Sequence, residues 1–510
     1  MNVYEKQIDA AIPRILNMFE TNPISETRGV GDRDYWAWAV KDFANGTYQG
    51  AVNGLSTLTA KSRHIKYFLN EERYIEYIDS IINALNQISH KDGSLDEAFY
   101  GEHSWCVTGL VAYDILSAYS RLSDIIDDSI KQKWLEICHK LISFISNRIE
   151  NHGFISNHLL TNANALILWS DITKESKYES TAYKLTRKVV DSGHGEGWFR
   201  EYGGADPGYQ SISMNYAANI YDLRENWISK NELENALRFL SDFINPDGTF
   251  SGLIGSRQTS LYFPAGFRKL SKRFEIASWI DVVMQKSIEN NNVVNLLAID
   301  AGNFVHLFNN YCEASEHDNG TVYHQDMVNL AKTHVYSKAG IVVDRSKSHK
   351  TVVSLQKGGI VQHYGKNGAY TDCGLLLYKK DKLVASTQGN YNSTEINVPD
   401  SKLLEIKLTF NKINIKKPKP LHTIIIRLCA VTIFKFTSIR EKFKKLIVNR
   451  LILKDRSLPF VVKRKIYLGS EVRIEDSVDL PKHYAIKKSL NDFTSSHMAS
   501  AGYWKKPNNE

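Results

Sequence analysis

The hydrophobic period changes once along this chain, near residue 325, and this change limits the fold more than any other feature. From residue 1 to about 320, apolar residues recur at i, i+3, i+4 and i+7, as in Tyr74, Tyr77, Ile78, Ile81 and Leu85, which predicts one helix after another. Beyond about residue 325, short segments rich in Val, Ile and Thr have a period of two. The sequence therefore predicts an α+β multidomain protein, helical first and antiparallel β second.

The predicted helices are separated by turns that recur at similar distances. Glycines at positions 46, 93, 153, 197 and 248 mark these turns, and spacings of 44 to 60 residues fit a repeated helical hairpin. The turns contain more aromatic and polar residues than backbone geometry requires. This content favours a closed ring with one rim lining a cleft over an open solenoid, although ordinary turn chemistry remains the alternative. We therefore expect these turns to share one rim.

The predicted domains are a helical ring over residues 1–322, a β-sandwich over residues 323–475 and a C-terminal tail over residues 476–510. The apolar stretch Ile424–Phe436 is short and contains Arg427 and Lys435. It therefore predicts a buried strand rather than a membrane span.

Basic residues are concentrated in one region. Residues 402–465 contain 18 Lys and Arg against 3 Asp and Glu, whereas the whole chain has a formal net charge of +8. Such a strip suits an acidic glycan, a nucleic acid or an anionic membrane, and a solvated basic face is the structural alternative. The phenylalanines at 410, 434, 436 and 443 are predicted to be core residues rather than base-stacking platforms, so we expect no nucleic-acid partner. A peripheral membrane contact stays open.

Other signals narrow the functional classes. The first residues lack the apolar region of a secretory signal, and the five cysteines are scattered without a CxxC pair, so we expect a cytoplasmic, reducing location, with peripheral membrane attachment left open. The chain lacks the GxxxxGK[ST], GxSxG and HExxH motifs, which argues against P-loop nucleotide enzymes, α/β-hydrolases and zinc proteases.

Three segments stand out in order along the chain: the Asn157-His158 pair in SNHLLTNANAL, Tyr209 in GWFREYGGADPGYQ, and the strand pair in HYGKNGAYTDCGLLLYKKDKLVASTQGNY. Together they resemble the heparinase II/III-type polysaccharide lyases and their alginate-lyase relatives. The resemblance implies an N-terminal (α/α) toroid of helical hairpins followed by a C-terminal antiparallel β-sandwich. It also implies a carbon–oxygen lyase that cleaves a uronate-containing polysaccharide by β-elimination.

The resemblance implies catalytic roles for Asn157, His158, Tyr209 and a histidine of the sandwich, for which the candidate is His363. The family's tyrosine serves as acid, and often as base as well. Relatives place a histidine two residues before the sandwich aspartate, but this chain has Tyr370 two residues before Asp372. His363 or Tyr370 is therefore expected to face Tyr209. The departure weakens the case for a metal, so we predict no cofactor, with a structural metal left open.

Elementary chemistry supports these residue types. Elimination across C4 and C5 of a uronate removes a proton α to a carboxylate, so the site must neutralise that carboxylate and supply an acid and a base. Asn157, His158 or Arg257 could bind the carboxylate, and Tyr209, His158 and His363 can transfer protons. The predicted substrate-binding residues are Arg257, Tyr370, Glu201 and His103.

Each prediction has a structural alternative. These are an N-cap for Asn157, a cover of the first helical turn for His158, an interfacial aromatic for Tyr209, a surface cation for Arg257, and solvated turn carboxylates for Glu196, Glu201 and Asp206.

The predicted lyase activity also has alternatives. A uronate C5-epimerase shares the proton abstraction, and a non-catalytic glycan-binding or assembly protein of surface polysaccharide biosynthesis would keep the cleft. A glycosidase with paired carboxylates would draw on the turn acids Asp96, Glu97, Glu102, Glu196, Glu201 and Asp206.

Overall fold

The computed structural model describes residues 2–60, 69–318, 332–389, 393–400, 402–413, 419–449, 456–488, 493 and 495. Its helices are α1 Val3–Leu16, α2 Arg33–Trp36, α3 Val52–Ala60, α4 Glu71–Ile88, α5 Trp105–Leu122, α6 Asp128–Asn147, α7 Ser156–Thr173, α8 Glu179–Val190, α9 Pro207–Leu223, α10 Lys230–Ser241, α11 Ala265–Leu270, α12 Glu275–Glu289, α13 Ala301–Ser315, α14 Pro420–Val431 and α15 Thr437–Val448. Short 3₁₀ helices cover Gly46–Ala51, Ser176–Tyr178, Asp191–Gly193 and Ile433–Lys435.

The strands are β1 Arg200–Glu201, β2 Gly204–Ala205, β3 Lys332–Tyr336, β4 Ile341–Arg345, β5 Lys350–Ser354, β6 Ile360–Gly365, β7 Gly368–Asp372, β8 Leu375–Lys379, β9 Lys382–Ser386, β10 Ser393–Asp400, β11 Leu403–Lys412, β12 Ser457–Tyr467, β13 Arg473–Val478 and β14 Tyr484–Lys488.

The helical hairpins close into a ring. The inner helices α3, α5, α7, α9, α11 and α13 each pack on the next, and α13 returns to α3. Outside them lie α1, α4, α6, α8, α10 and α12. Outer helices such as α4 bury a single stripe that includes Tyr74, Ile78 and Leu85, whereas inner helices such as α5 are buried on almost every side. The predicted toroid is therefore confirmed, and the open solenoid is excluded.

The turns that precede the inner helices meet on one rim, as predicted. Backbone hydrogen bonds join successive turns: Gly46 N donates to Asp96 O (2.8 Å), Tyr202 N to Phe154 O (2.6 Å) and Ser256 N to Ala205 O (2.8 Å). Each inner helix begins at this rim, so a residue in its first turn can reach the mouth of the ring.

Two antiparallel sheets follow the ring and pack on each other as a sandwich. Strands β3 to β7 form one sheet in chain order, and the second has the order β13-β12-β11-β9-β8-β14, with β10 beside β11. Val342, Val353 and Val361 of the first sheet share a core with residues of the second, including Leu377 and Leu404. The predicted β-sandwich is thereby confirmed.

The other face of the first sheet lies on the toroid rim. Tyr336 donates to Asp242 (2.6 Å), Arg345 pairs with the same carboxylate (2.8 Å), and Lys350 donates to Ile244 O (2.6 Å). The ring and the first sheet therefore form one continuous body around the rim.

The segment predicted as a buried strand, Ile424–Phe436, is helical instead. It contains most of α14, which starts at Pro420, a residue favoured in the first helical turn. Leu421, Ile424, Ile425 and Leu428 follow a period of 3.6, and the Val, Ile and Thr content concealed this period. None of the helices among the described residues is both long and apolar enough to cross a membrane.

Of the two predicted domain boundaries, one falls within the described residues and is shifted in the structure. The boundary after residue 475 falls inside β13, and β14 pairs with β8 within the region predicted as a tail. The sheet therefore extends to Lys488. The boundary at 322/323 and most of the predicted tail beyond residue 488 lie outside the described residues, so the ring and tail limits there stay predictions.

Candidate active site

Asn157 and His158 stand in the first turn of α7, at the rim. Ile155 is the N-cap of this helix, so Asn157 is not the cap that its position suggested. The Asn157 backbone N–H donates to Glu201 Oε1 (3.3 Å). Its side-chain Oδ1 is buried and, among the described residues, has no hydrogen-bond partner. This oxygen therefore makes no structural hydrogen bond among the described residues.

His158 is held by a carboxylate that the sequence did not single out. Its Nδ1 lies 2.7 Å from Glu150 Oε2, and His152 Nε2 lies 3.0 Å from the other oxygen of the same carboxylate. Burial opposes ionisation, but the two histidines hold the pKa of Glu150 well below its usual range. An ionised Glu150 fixes the Nδ1–H tautomer of His158 and leaves Nε2 for proton transfer.

Tyr209 and Arg257 form the centre of the cluster. The Arg257 guanidinium carbon lies 3.5 Å from the centroid of the Tyr209 ring, and its side chain is only 13% exposed. Arg257 is therefore not the surface cation that was one alternative. A cation at this distance stabilises negative charge that develops on the phenol oxygen as its proton leaves.

One buried carboxylate positions both of these residues. Asp206 caps α9, where its Oδ1 accepts from Tyr209 N (3.0 Å) while its Oδ2 accepts from Arg257 N (2.8 Å). Burial raises the pKa of Asp206. Pro207 at the first helical position sets the backbone for the same turn. The turn thereby places a tyrosine from one hairpin against an arginine from the next.

Glu201 completes the cluster and is fully buried. Its Oε2 lies 3.6 Å from Arg257 Nη1. Burial raises the pKa of Glu201 to about 8, although Arg257 opposes the shift. Glu201 is therefore mostly protonated at neutral pH and does not cancel the Arg257 charge. Neither Glu201 nor Asp206 is the solvated turn carboxylate that was the alternative, because both are fully buried. Glu196 also has partners, because it accepts from Lys338 N and Ala339 N in the turn between β3 and β4.

The turn at 97–102 adds more acids to the rim. Glu97 reaches solvent, yet enclosure by the surrounding protein, and then the carboxylates of Glu102 and Glu150, raise its pKa to about 7. Glu102 is tied down, because its Oε2 accepts from Glu97 N (3.1 Å) and Ala98 N (2.7 Å). Glu97 is therefore the exposed acid of this turn, and Glu102 is held beside it by backbone hydrogen bonds.

His363 and Tyr370 lie elsewhere. Residues of β6 alternate between two faces: Ile360 packs on Leu253 of the ring, whereas Val361 faces the sandwich core. His363 shares the face of Val361, where its Nδ1 lies 2.8 Å from Thr351 Oγ1. Burial lowers the pKa of His363. The expectation that it reaches the cleft from a loop is wrong, because it is a strand residue on the opposite face.

Tyr370 and His363 both line a pocket of about 370 Å³ that is separate from the rim cluster. Tyr370 is paired with His363 across β6 and β7, and its hydroxyl donates to Val472 O (3.2 Å). Neither of the two predicted partners for Tyr209 is therefore on the ring side of the sheet.

The sandwich aspartate has a structural partner. Asp372 is fully buried against Arg464 (3.0 Å) and also pairs with Lys488 (3.0 Å). The described residues contain no group of three or more His, Cys, Asp or Glu side chains arranged to hold a metal ion. Absence of a cofactor stays a prediction.

His103 belongs to a separate part of the rim. Its ring stacks on His90 at 4.0 Å, and its Nδ1 lies 2.7 Å from Ser94 Oγ and 3.1 Å from Asp92. The cluster also contains residues that sequence reasoning missed, namely Glu150 and Tyr202, whose ring lies 5.2 Å from the Arg257 guanidinium. The only sequence signal of Tyr202 was its place in an aromatic and polar turn, and Glu150 had none.

Comparison with known proteins agrees with this architecture. Residues 63–260, which hold most of the rim cluster, match the family model of the ulvan lyase N-terminal domain. The chain shares its fold with a Paenibacillus xanthan lyase (TM-score 0.50, 9% identity) over 91% of this chain and 44% of that one. It also shares its fold with the chondroitin AC lyase of Streptomyces coelicolor A3 (TM-score 0.52, 8% identity), over 92% of this chain and 65% of that one.

The chain thus spans about half to two thirds of the length of these enzymes. No curated protein sequence matches it. The predicted similarity to the heparinase-like polysaccharide lyases, with a toroid followed by a β-sandwich, is confirmed.

Proposed function

We propose that this protein is a polysaccharide lyase that cleaves a uronate-containing glycan by β-elimination. The observation that carries the proposal is the buried Arg257 guanidinium against the Tyr209 ring, beside a largely protonated Glu201. This arrangement offers a buried cation next to a proton-transfer group. Elimination α to a carboxylate needs both.

The carboxylate of the substrate would bind at Arg257, with the amide of Asn157 as a second donor. Binding there withdraws charge from the carboxylate and makes the C5 proton more acidic, since the resulting dianion is stabilised by the guanidinium. The donor would be Asn157 Nδ2. The Oδ1 of the same amide is buried and has no hydrogen-bond partner among the described residues, so that atom does not hold the amide in one orientation.

His158 Nε2 would then accept the C5 proton, and the Tyr209 hydroxyl would protonate the departing O4. The C5–H electron pair forms the C4=C5 double bond as the C4–O4 bond breaks, so the products are an unsaturated uronate and a free 4-hydroxyl. Glu150 holds the histidine in the tautomer that can accept the proton. The imidazolium and phenolate formed then exchange a proton to restore the resting site.

The substrate class follows from the cation at the site and from the related proteins. The matched family is named for ulvan, and the structural neighbours act on xanthan and chondroitin sulphate, as their names state. An acidic polysaccharide is therefore the proposed partner. The cytoplasmic location and the peripheral membrane contact of the 402–465 strip stay predictions.

The test is an assay of the purified full chain on ulvan, xanthan, chondroitin sulphate, heparan sulphate and alginate. We expect ultraviolet absorbance from the conjugated double bond of an unsaturated uronate with at least one of them, and none with a neutral glucan. Deuterium uptake from heavy water without chain cleavage would instead identify a C5-epimerase. Glycan binding with neither product nor exchange would identify a non-catalytic binder.

A further inference from the structure

A helical insertion separates β11 from β12 and packs on the toroid. We call residues 420–448, which include α14, the 3₁₀ turn Ile433–Lys435 and α15, the helical insertion. Phe99 of the rim packs against Phe434 (5.8 Å) and Phe443 (6.4 Å). Lys444 lies 3.8 Å from Glu102. The inner side of the insertion therefore packs on the toroid rim.

The outer side of α14 is apolar and exposed. Leu421, Ile424, Ile425 and Leu428 follow i, i+3, i+4 and i+7, and they are 61%, 55%, 47% and 58% exposed. Such a stripe normally faces the protein core. In α14 only Ala430 is buried. The helix therefore turns its apolar stripe outwards.

The exposed apolar surface continues beyond α14. After Val431, the last residue of α14, it includes Ile433, Phe436 and Ile439, of which Phe436 is 64% exposed. A neighbouring segment contributes Trp38 and Val40, which are 71% and 73% exposed. That segment is tied to α14 by the ion pair between Asp42 and Arg427. Isolated exposed apolar residues are common, but a contiguous group marks an interaction surface.

The charge around this surface is almost entirely positive. Residues 419–449 contain seven Lys and Arg and a single acid, Glu441. Lys419, Lys435, Lys442 and Lys445 are exposed. Exposed lysines interleaved with Ile, Leu and Phe, and an aromatic residue at the edge, are typical of helices that lie in the interface of an anionic bilayer. Lysine is depleted at the core of protein–protein interfaces, so the composition favours lipid over a protein partner.

We propose that the helical insertion, together with Trp38 and Val40, docks the protein on an anionic membrane surface. At twelve residues each, α14 and α15 are about 18 Å long, which suits helices lying in the plane of the interface. The apolar side chains enter the acyl boundary while the lysines meet lipid phosphates. Because the insertion packs on the turn that carries Glu97 and Glu102, docking places the mouth of the ring beside the membrane. The proposal does not depend on the lyase activity.

The test is flotation of the full chain with vesicles of phosphatidylcholine alone and of phosphatidylcholine with phosphatidylserine. We expect the protein to float with the anionic vesicles and to be released by high salt. The double variant I424D/L428D should bind at least about tenfold more weakly. The triple variant K435E/K442E/K445E should lose the preference for phosphatidylserine. The matched control L383D/I486D changes two exposed residues of the second sheet and should float like the parent.

Thermal unfolding and sedimentation velocity complete the flotation test. All variants should unfold at the parent's temperature, because the substituted side chains are exposed. A parent that stays unbound with anionic vesicles overturns the proposal, whatever the variants do. So does an I424D/L428D variant that floats as well as the parent. Sedimentation velocity supplies the remaining outcome: a parent dimer that this variant dissociates, without vesicle binding, makes a second copy of the chain the occupant.

Discussion

The rim cluster and the pocket of the first sheet contain the same kinds of residue in different surroundings. The rim places Tyr209 against a buried cation, Arg257, and it places His158 next to Asn157, whose backbone N–H donates to Glu201 beside that cation. The sheet instead places His363 beside Tyr370 on the face turned away from the ring. Histidine and tyrosine are therefore insufficient to define a site. The neighbouring charge and the face of the element decide what they can do.

The largest expected effect separates the two histidines. We expect His158→Ala to reduce kcat by roughly 10²- to 10⁴-fold, because it removes the proposed base. His363→Ala should keep kcat within about twofold of the parent, since that ring faces the sandwich. Initial rates on the substrate found in the glycan panel measure both. Equal losses in the two variants would erase the distinction between the rim and the sheet.

Arg257→Lys tests the charge that distinguishes the rim. Lysine keeps the positive charge but loses the planar group that stacks on Tyr209 and can bind a carboxylate with two parallel hydrogen bonds. We expect kcat/KM to fall by about 10- to 100-fold. Arg273→Lys, in the turn between α11 and α12 and paired with Asp222, is the matched control and should retain the parent's kcat/KM. Full activity of Arg257→Lys would assign Arg257 a structural role.

Glu150→Gln tests whether a residue without direct contact to substrate orients the base. Glutamine preserves the shape but removes the charge that selects the Nδ1–H tautomer of His158. We expect kcat to fall by about tenfold, with KM little changed, and the pH dependence of kcat to shift. A structural role alone would leave the pH profile in place. That result would remove Glu150 from the account.

Glu201→Gln should have the smallest effect on activity but a clear effect on stability against pH. The usual pKa of this carboxyl is 4.5, and burial raises the pKa of Glu201 to about 8. The folded state thus favours the protonated form, so its contribution is complete below pH 4.5 and is lost as the pH rises to about 8. From pH 4.5 to about pH 8, we expect the unfolding free energy of the variant minus that of the parent to rise by more than about 1 kcal/mol.

Denaturant unfolding at a series of pH values measures this difference. Glu136→Gln, on the exposed side of α6, is the control and should track the parent throughout. If the unfolding free energy of the variant minus that of the parent stayed constant or fell as the pH rises, the assignment of Glu201 as a buried, protonated acid would be contradicted.

The helical ring could be predicted because its signal is local. The stripe at Tyr74, Ile78 and Leu85 repeats at the helical period, and the turns mark where one hairpin ends and the next begins. The same rule was missed in α14, where Val, Ile and Thr favoured a strand while the spacing of Leu421, Ile424 and Leu428 was helical. The outward direction of that stripe could not be inferred, because exposure depends on what the rest of the fold leaves uncovered.

The site was predictable only in part for a related reason. Asn157, His158, Tyr209 and Arg257 stand on the turns that form one rim, and repeat position brings them together. His363 and Tyr370 are assigned to a face by strand register, and a shift of one residue would reverse it. Glu150 had no local signal, because its role depends on histidines that fold against it.

The central claim is that the tyrosine of the ring, and not that of the sheet, transfers the proton. The most direct test compares Tyr209→Phe with Tyr370→Phe in one lyase assay, since each removes a single hydroxyl and keeps the ring. We predict that Tyr209→Phe lowers kcat by roughly 10²- to 10⁴-fold with glycan binding retained, while Tyr370→Phe stays within about twofold of the parent. Near-parent activity in Tyr209→Phe, together with loss of activity in Tyr370→Phe, would contradict the account.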